Sequence, residues 1–227
     1  MFKSVLTAIA VALLATTSFA SASEQRADME LMFKSGDRSV TYDELTHTVT
    51  ISGTTTQTQS IALYNTLKDK TVANIIIYGP GGDFYAGLRM GEMIAKAKVT
   101  VIIPEGKSCV SACSFMALAG ERIILDGALE FHAPYFSRVP TDATILEITQ
   151  RFGVGYVDMA SYLVEHGYST QFARKLLKDT SPCKFIVVDT QKGIDDLSTG
   201  KDSTSTRSFY YTLRDNCAVQ RAMVNGE

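Results

Sequence analysis

Histidine and cysteine are scarce in this chain, with three histidines and four cysteines among 227 residues. A structural zinc site needs about four such ligands, usually cysteines at short spacing in two sets, and no second Cys/His pair of that kind accompanies Cys109 and Cys113. No metal site is expected. A C-x-x-C pair is absent, as are G-x-x-x-x-G-K-[ST] and a complete G-x-G-x-x-G, which removes thioredoxin-type exchange and the two common nucleotide loops. Neither sign of charge is in excess: 22 Lys and Arg stand against 24 Asp and Glu, mixed along the chain, for a net charge of -2. That balance does not suit nucleic acid or an anionic membrane surface. There is no internal repeat and no long low-complexity tract.

What is there begins with the N-terminus, where Lys3 precedes an uncharged apolar run from Val5 to Ala15 and then the small residues "TTSFASAS". The run is shorter than the about 20 residues that cross a bilayer, and its flanks are those of a secretory signal peptide cleaved after Ala20 or Ala22. Residues 1–22 are therefore expected to be removed, leaving residues 23–227 as one exported domain, periplasmic or secreted, with no transmembrane segment. Loss of Lys3 takes the net charge from -2 to -3. In an oxidising compartment the even set Cys109, Cys113, Cys183 and Cys217 predicts disulfides, with three pairings allowed.

From Thr48 onward short β-branched runs alternate with helical stretches. "TVTISG" reads as a strand ending at Gly53, and "SIALYNTLKD" as a helix with Ile61, Tyr64 and Leu67 on one face. "ANIIIYGPGG" is a buried strand running into a turn that its proline and glycines cannot continue. A helix follows with Ala86, Met90, Met93, Ile94 and Ala97 in register. Then come the strand "VTVIIP", the helix "SACSFMALAG" and the strand "RIIL". This succession predicts an α/β fold with a mostly parallel sheet covered by helices. After Pro134 the pattern is largely helical, broken near Gly153 and Gly167, and suits an arm or lid. "KFIVVDT" is a late strand, and "LSTGKDSTSTRS" reads as a polar loop.

Three segments could carry chemistry. In "YGPGGDFYAGL" successive glycines at a helix N-terminus can hold an oxyanion or a phosphate, or simply make a tight strand-helix turn. Ser111 opens the next helix. A serine there either caps the helix, worth about 1 kcal/mol, or presents a hydroxyl beside amide donors as a nucleophile must. His132, in "LEFHAP", ends a strand and is either a structural histidine or the base such a serine needs. His47 and His166 read as solvated surface.

In order and approximate spacing, "GPGG", a helix, a strand, "SACSFMALAG" and "FHAP" resemble the Clp protease proteolytic subunit and its relatives in the Clp/crotonase superfamily. The resemblance is strongest to small exported bacterial proteins with a Cys-x-Ser-Ala-Cys serine motif, and it covers Thr48 to Pro134, roughly 40% of the chain. It implies a spiral of strand-strand-helix units with a helical arm after the histidine. It also implies Ser111 as nucleophile, His132 as general base, and the backbone N–H groups of Gly82 and Ala112 as oxyanion donors. The family's third member, an aspartate two residues before a phenylalanine in a late strand, is replaced by Cys183 in "SPCKFIVV". Asp179 and Asp189 are the nearest carboxylates in sequence, and a Ser-His dyad oriented by a carbonyl or water is the alternative.

The expected protein is thus an exported serine hydrolase, a peptidase forming an acyl-enzyme, with no cofactor and with short or unstructured peptides as substrates. A binding or scaffolding protein that kept the fold and lost its triad is the alternative, while an acyl-CoA enzyme is disfavoured outside the cytoplasm. Cysteines at i and i+4 on a helix lie about 6 Å apart, which allows a local Cys109–Cys113 bridge, while Cys183 with Cys217 would close a longer loop; these are the two pairs expected. The apolar content between Ile145 and Val164 exceeds what one helix face buries, so a homo-oligomer is expected, against a null in which these residues close a monomer's core.

Overall fold

The computed structural model describes residues 40–132, 145–180, 184–201 and 203–208. The expected leader, residues 1–22, and the expected Cys183–Cys217 pair lie outside these. Nine strands among the described residues join in one hydrogen-bonded network: β1 (Val40–Asp43), β2 (Thr48–Thr55), β3 (Asn74–Gly82), β4 (Thr100–Ile103), β5 (Ser108–Val110), β6 (Arg122–Leu125), β7 (Ala128–Phe131), β8 (Lys184–Val188) and β9 (Ser205–Ser208). Six helices accompany them: α1 (Gln57–Asp69), α2 (Phe84–Ala97), α3 (Ala112–Ala117), α4 (Ile145–Glu165), α5 (Thr170–Asp179) and α6 (Gln191–Thr199).

The architecture turns on β3, which is long enough to serve two sets of neighbours. Its first half pairs in parallel with β4, and β4 with β6; its second half, at Gly79, pairs in parallel with β5, and β5 with β7. Each successive unit (β4-β5-α3, then β6-β7 and the arm α4) therefore adds one strand to each half, as a strand-strand-helix spiral must. β8 and β9 extend the second half antiparallel, and β1 and β2 close the other side of β3. The core lies between the sheet and its helices. Leu63, Ile75, Ile77, Met90, Phe115 and Phe131 are fully enclosed there, each stabilising the fold by about 1.5–3 kcal/mol through removal from water.

Several expectations from sequence need correction. β3 continues through Pro80 to Gly82 instead of stopping before it. Its ladder to β2 shifts register between Ser52 and Thr54, and that bulge takes the proline, which has no N–H to donate. In α1 the inward residues are Gln59, Ser60 and Leu63, while Ile61 and Tyr64 are both 54% exposed. The buried hydrogen bond from Gln59 Nε2 to Ser52 O (2.6 Å), with the Thr56 cap, fixes that rotation against the apolar pattern. α4 runs unbroken past Gly153 and ends before Gly167. The polar stretch near the C-terminus is ordered at both ends. Thr190 caps α6 by accepting from Gly193 N–H (3.0 Å), and β9 pairs with β8.

Candidate active site

The second strands of the units, β3, β5 and β7, run parallel and side by side, so whatever follows them emerges at one edge. The chain ends β3 in the glycine cluster and places Ser111 after β5 and His132 after β7. Ligands and reacting groups gather at the carboxyl ends of parallel strands in α/β sheets generally.

Ser111 occupies the cap position of α3 but makes no capping hydrogen bond with its side chain, so the capping role expected of a lone serine there is not filled. Its backbone is at φ 57°, ψ -124°, outside the left-handed helical region and unfavourable for a residue with a Cβ. Such conformations cost about 1–3 kcal/mol and persist only where surroundings enforce them. The enforcement is visible. Ser111 N–H donates to Glu130 O (2.8 Å), and Ser111 O accepts from Ser114 N–H (2.9 Å). Ser114, fully buried, accepts from Glu130 N–H (3.1 Å), and its one hydroxyl proton is shared between Cys109 O and Glu130 O (2.9 Å). Cys109 and Cys113 form the expected disulfide across the turn, with Cα atoms 5.1 Å apart.

The glycine turn abuts this elbow. A Cβ on Gly81 would lie 2.4 Å from Val110 O, 2.8 Å from Ser111 Cβ and 3.0 Å from Ala112 N, so only glycine lets β3 approach the serine this closely. Gly82 is exposed beside it, paired with Thr55 of β2. The glycine turn and Ala112 N–H, the two sides of the expected oxyanion hole, are neighbours. Asp83 then caps α2 by accepting from Ala86 N–H (2.8 Å). Gly87, one turn on, permits close crossing over Ala112, where a Cβ would meet Ala112 O at 2.7 Å.

His132 is 5% exposed, its ring edge-to-face against Phe185 with centroids 4.8 Å apart. The register Val110↔Glu130 puts Ser111 and His132 just past the ends of adjacent strands, which lie about 4.8 Å apart. Side-chain alternation along β7 sets Glu130 on the same face as His132, and its carboxylate is buried at 2% exposure. Neither Glu130 nor Ser114 stands out in the sequence, although "LEFH" carries the i, i+2 signal for the first. Of the other carboxylates, Asp179 closes α5 with its side chain 3.9 Å from Lys175 Nζ. Asp189 follows β8, which runs antiparallel with Leu129↔Val188, so it stands about 13 Å along the sheet from His132. Cys183 lies outside the described residues.

The arm reaches back to the elbow helix. Tyr162 on α4 donates its hydroxyl to Phe115 O (2.9 Å), and Tyr168, just after α4, donates to Leu118 O (2.8 Å). These carbonyls end a helix too short to satisfy them internally. Burial pushes the Tyr162 phenol well above its usual range, with the Glu92 carboxylate adding to the effect, and burial raises Tyr168 as well. His166 is not the solvated residue expected from sequence. It lies 3.1 Å from Glu92 Oε1 with its ring against Tyr162, and it lines a pocket with Leu118 and Gly120, just past the end of α3. His47 is exposed and bonded to the Tyr42 hydroxyl (2.9 Å).

No family model matches this chain, and no curated protein matches it in sequence. Among solved structures it is similar to a ClpP1 mutant from Listeria monocytogenes, with a TM-score of 0.53 over 67% of this chain and 88% of that one, at 19% identity. The chain has the Clp/crotonase-like α/β fold. At that identity the likeness is one of fold and assigns no role to Ser111 or His132.

Proposed function

We propose that the protein is an exported serine hydrolase, a peptidase acting through an acyl-enzyme on Ser111 with His132 as general base. The observation that carries this reading is the backbone of Ser111: a non-glycine residue in a costly conformation, uncapped, at the strand edge where a buried histidine also emerges. Strain of this kind is retained where it aims a side chain. In the proposed reaction Ser111 Oγ attacks the substrate carbonyl while His132 takes its proton, and Gly82 and Ala112 N–H groups receive the oxyanion. His132 returns the proton to the departing amine, and water then cleaves the ester by the reverse sequence. No step calls on a cofactor.

Short or unstructured peptides are the proposed substrates, in the periplasm or outside the cell. The homo-oligomer reading is also retained as a proposal. Met159, Tyr162 and Leu163 face the core, yet Leu146, Val154, Val157 and Val164 stand 47–66% exposed on the same helix, and light scattering on the mature protein tests for a second copy there. The main test is hydrolysis of generic peptide and ester substrates by wild type and Ser111→Ala. Turnover that disappears with the serine supports the hydrolase; turnover that survives, or a fully folded wild type with none, favours a binding protein on the same fold.

A further inference from the structure

We propose that the Cys109–Cys113 disulfide is a positioning element of the Ser111 site, holding the serine's backbone in its reactive conformation, and not a fastener of the domain at large. The proposal rests on the hydrolase reading for its functional consequence, but its structural part stands separately.

The bridge encloses residues 109–113 with Ser111 at the centre. Only Val110, Ser111 and Ala112 lie between the two half-cystines, so a rotation of Ser111 from φ 57° to the ordinary negative range has almost no chain in which to be absorbed. It would have to change the separation or direction of the two Cα atoms that the disulfide fixes at 5.1 Å. The same rotation would swing Ser111 Oγ away from the strand edge and turn Ala112 N–H with it. Ser114 holds the turn from beneath through Cys109 O and Glu130; the disulfide holds it across the top.

Size and burial distinguish this role from the alternatives. Stabilisation by a cross-link through the unfolded chain grows with the loop it closes, and a sequence separation of 4 is close to the smallest a disulfide can span. Its contribution to global stability is therefore small for a disulfide, while its placement is around Ser111, a positive-φ residue other than glycine at the strand edge. Cys109 is 0% and Cys113 2% exposed, so dissolved thiols do not reach the sulfurs in the folded protein. The bridge is a permanent clamp once made.

The experiment compares wild type with Cys109→Ala/Cys113→Ala, each also in a Ser111→Gly background, by steady-state hydrolysis, thermal unfolding and amide hydrogen exchange of the 108–118 segment. The clamp predicts that the double variant folds, keeps KM within about threefold and loses roughly 10- to 100-fold in kcat. It also predicts faster exchange in the segment, with a smaller increase when Ser111 is glycine, because glycine needs no holding at positive φ. Unchanged kcat overturns the proposal, and so does a double variant that fails to fold, which would make the bridge a global fastener. If wild type shows no turnover, the hydrolase reading falls and the exchange comparison alone decides. A smaller increase in the glycine background then sustains the clamp, and equal increases in both backgrounds overturn it.

Discussion

The two strands of one unit, β4 and β5, leave the sheet by turns that both require a positive φ, and they meet the requirement differently. After β4 the residue is Gly106, at φ 70° with nothing within 4 Å of where a Cβ would sit. After β5 it is Ser111, at φ 57°, ringed by a disulfide, a buried serine, a close glycine and a strand carbonyl. The first turn only carries the chain from one half of the sheet to the other, and glycine does that at no steric cost. The second retains a side chain where glycine would be easier, and the structure surrounds it with constraints that have no counterpart at the first. A costly residue kept under constraint at a strand edge is the mark of a site.

The largest expected effect separates chemistry from packing at these turns. His132→Ala and Ser111→Ala should each lower hydrolysis by about 10³-fold or more, and the double variant should be little worse than either, since nucleophile and base act as a unit. Multiplying losses in a kcat/KM comparison would break the dyad. Next come two glycines, one at the end of β3 against the elbow and one in the turn after β4. Gly81→Ala forces φ 82° on a residue whose Cβ would sit 2.4 Å from Val110 O, and should cost about 3 kcal/mol or more in chemical denaturation. Gly106→Ala meets no atom and should cost only about 1 kcal/mol. Equal losses would show that the approach of β3 to the elbow is not tight. A smaller effect has the opposite sign: Ser111→Gly relieves about 1–3 kcal/mol of strain against about 0.5–1 kcal/mol of added chain entropy, so stability should rise by about 1 kcal/mol as activity vanishes. A fall in the melting temperature would contradict the strain.

The smallest effect at neutral pH belongs to the arm. The phenols of Tyr162 and Tyr168 have folded pKa values raised above the ordinary 10.0 by burial. Their contribution is therefore fully present below pH about 10 and is lost as pH rises through the folded values, because only the unfolded chain ionises them readily. Unfolding followed by phenolate absorbance should begin only above pH about 10, and Tyr162→Phe should reduce that alkaline sensitivity. A protein whose stability is flat from pH 9 to 12 would show that these hydroxyls are not sealed.

The sequence showed the order of the longer strands and helices and the local disulfide, because each is written in neighbouring residues: apolar runs, glycine clusters, a C-x-x-x-C spacing; it did not show β1 or β5, the three-residue strand that carries Ser111. It hid what depends on distant partners. Pro80 argues against a strand unless the bulge opposite Ser52 and Thr54 is known. The facing of α1 follows from a Gln59 bond to another element rather than from Ile61 and Tyr64. α6 and β9 are polar segments ordered by a cap and by β8. Tyr162 and Tyr168 find carbonyls 47 and 50 residues away. Ser114 looks like one more small residue in a helix, and only the approach of β7 gives its hydroxyl a purpose.

Covalent capture tests most directly whether Ser111 is held strained so that it can react. Wild-type protein treated with a fluorophosphonate between pH 6 and 9 and weighed intact should gain one adduct, mapped to Ser111 by peptide sequencing, while Ser111→Ala and His132→Ala remain unlabelled. A folded wild type that gains no mass across that range, or an adduct mapped to Ser114 or to any other residue, would contradict it.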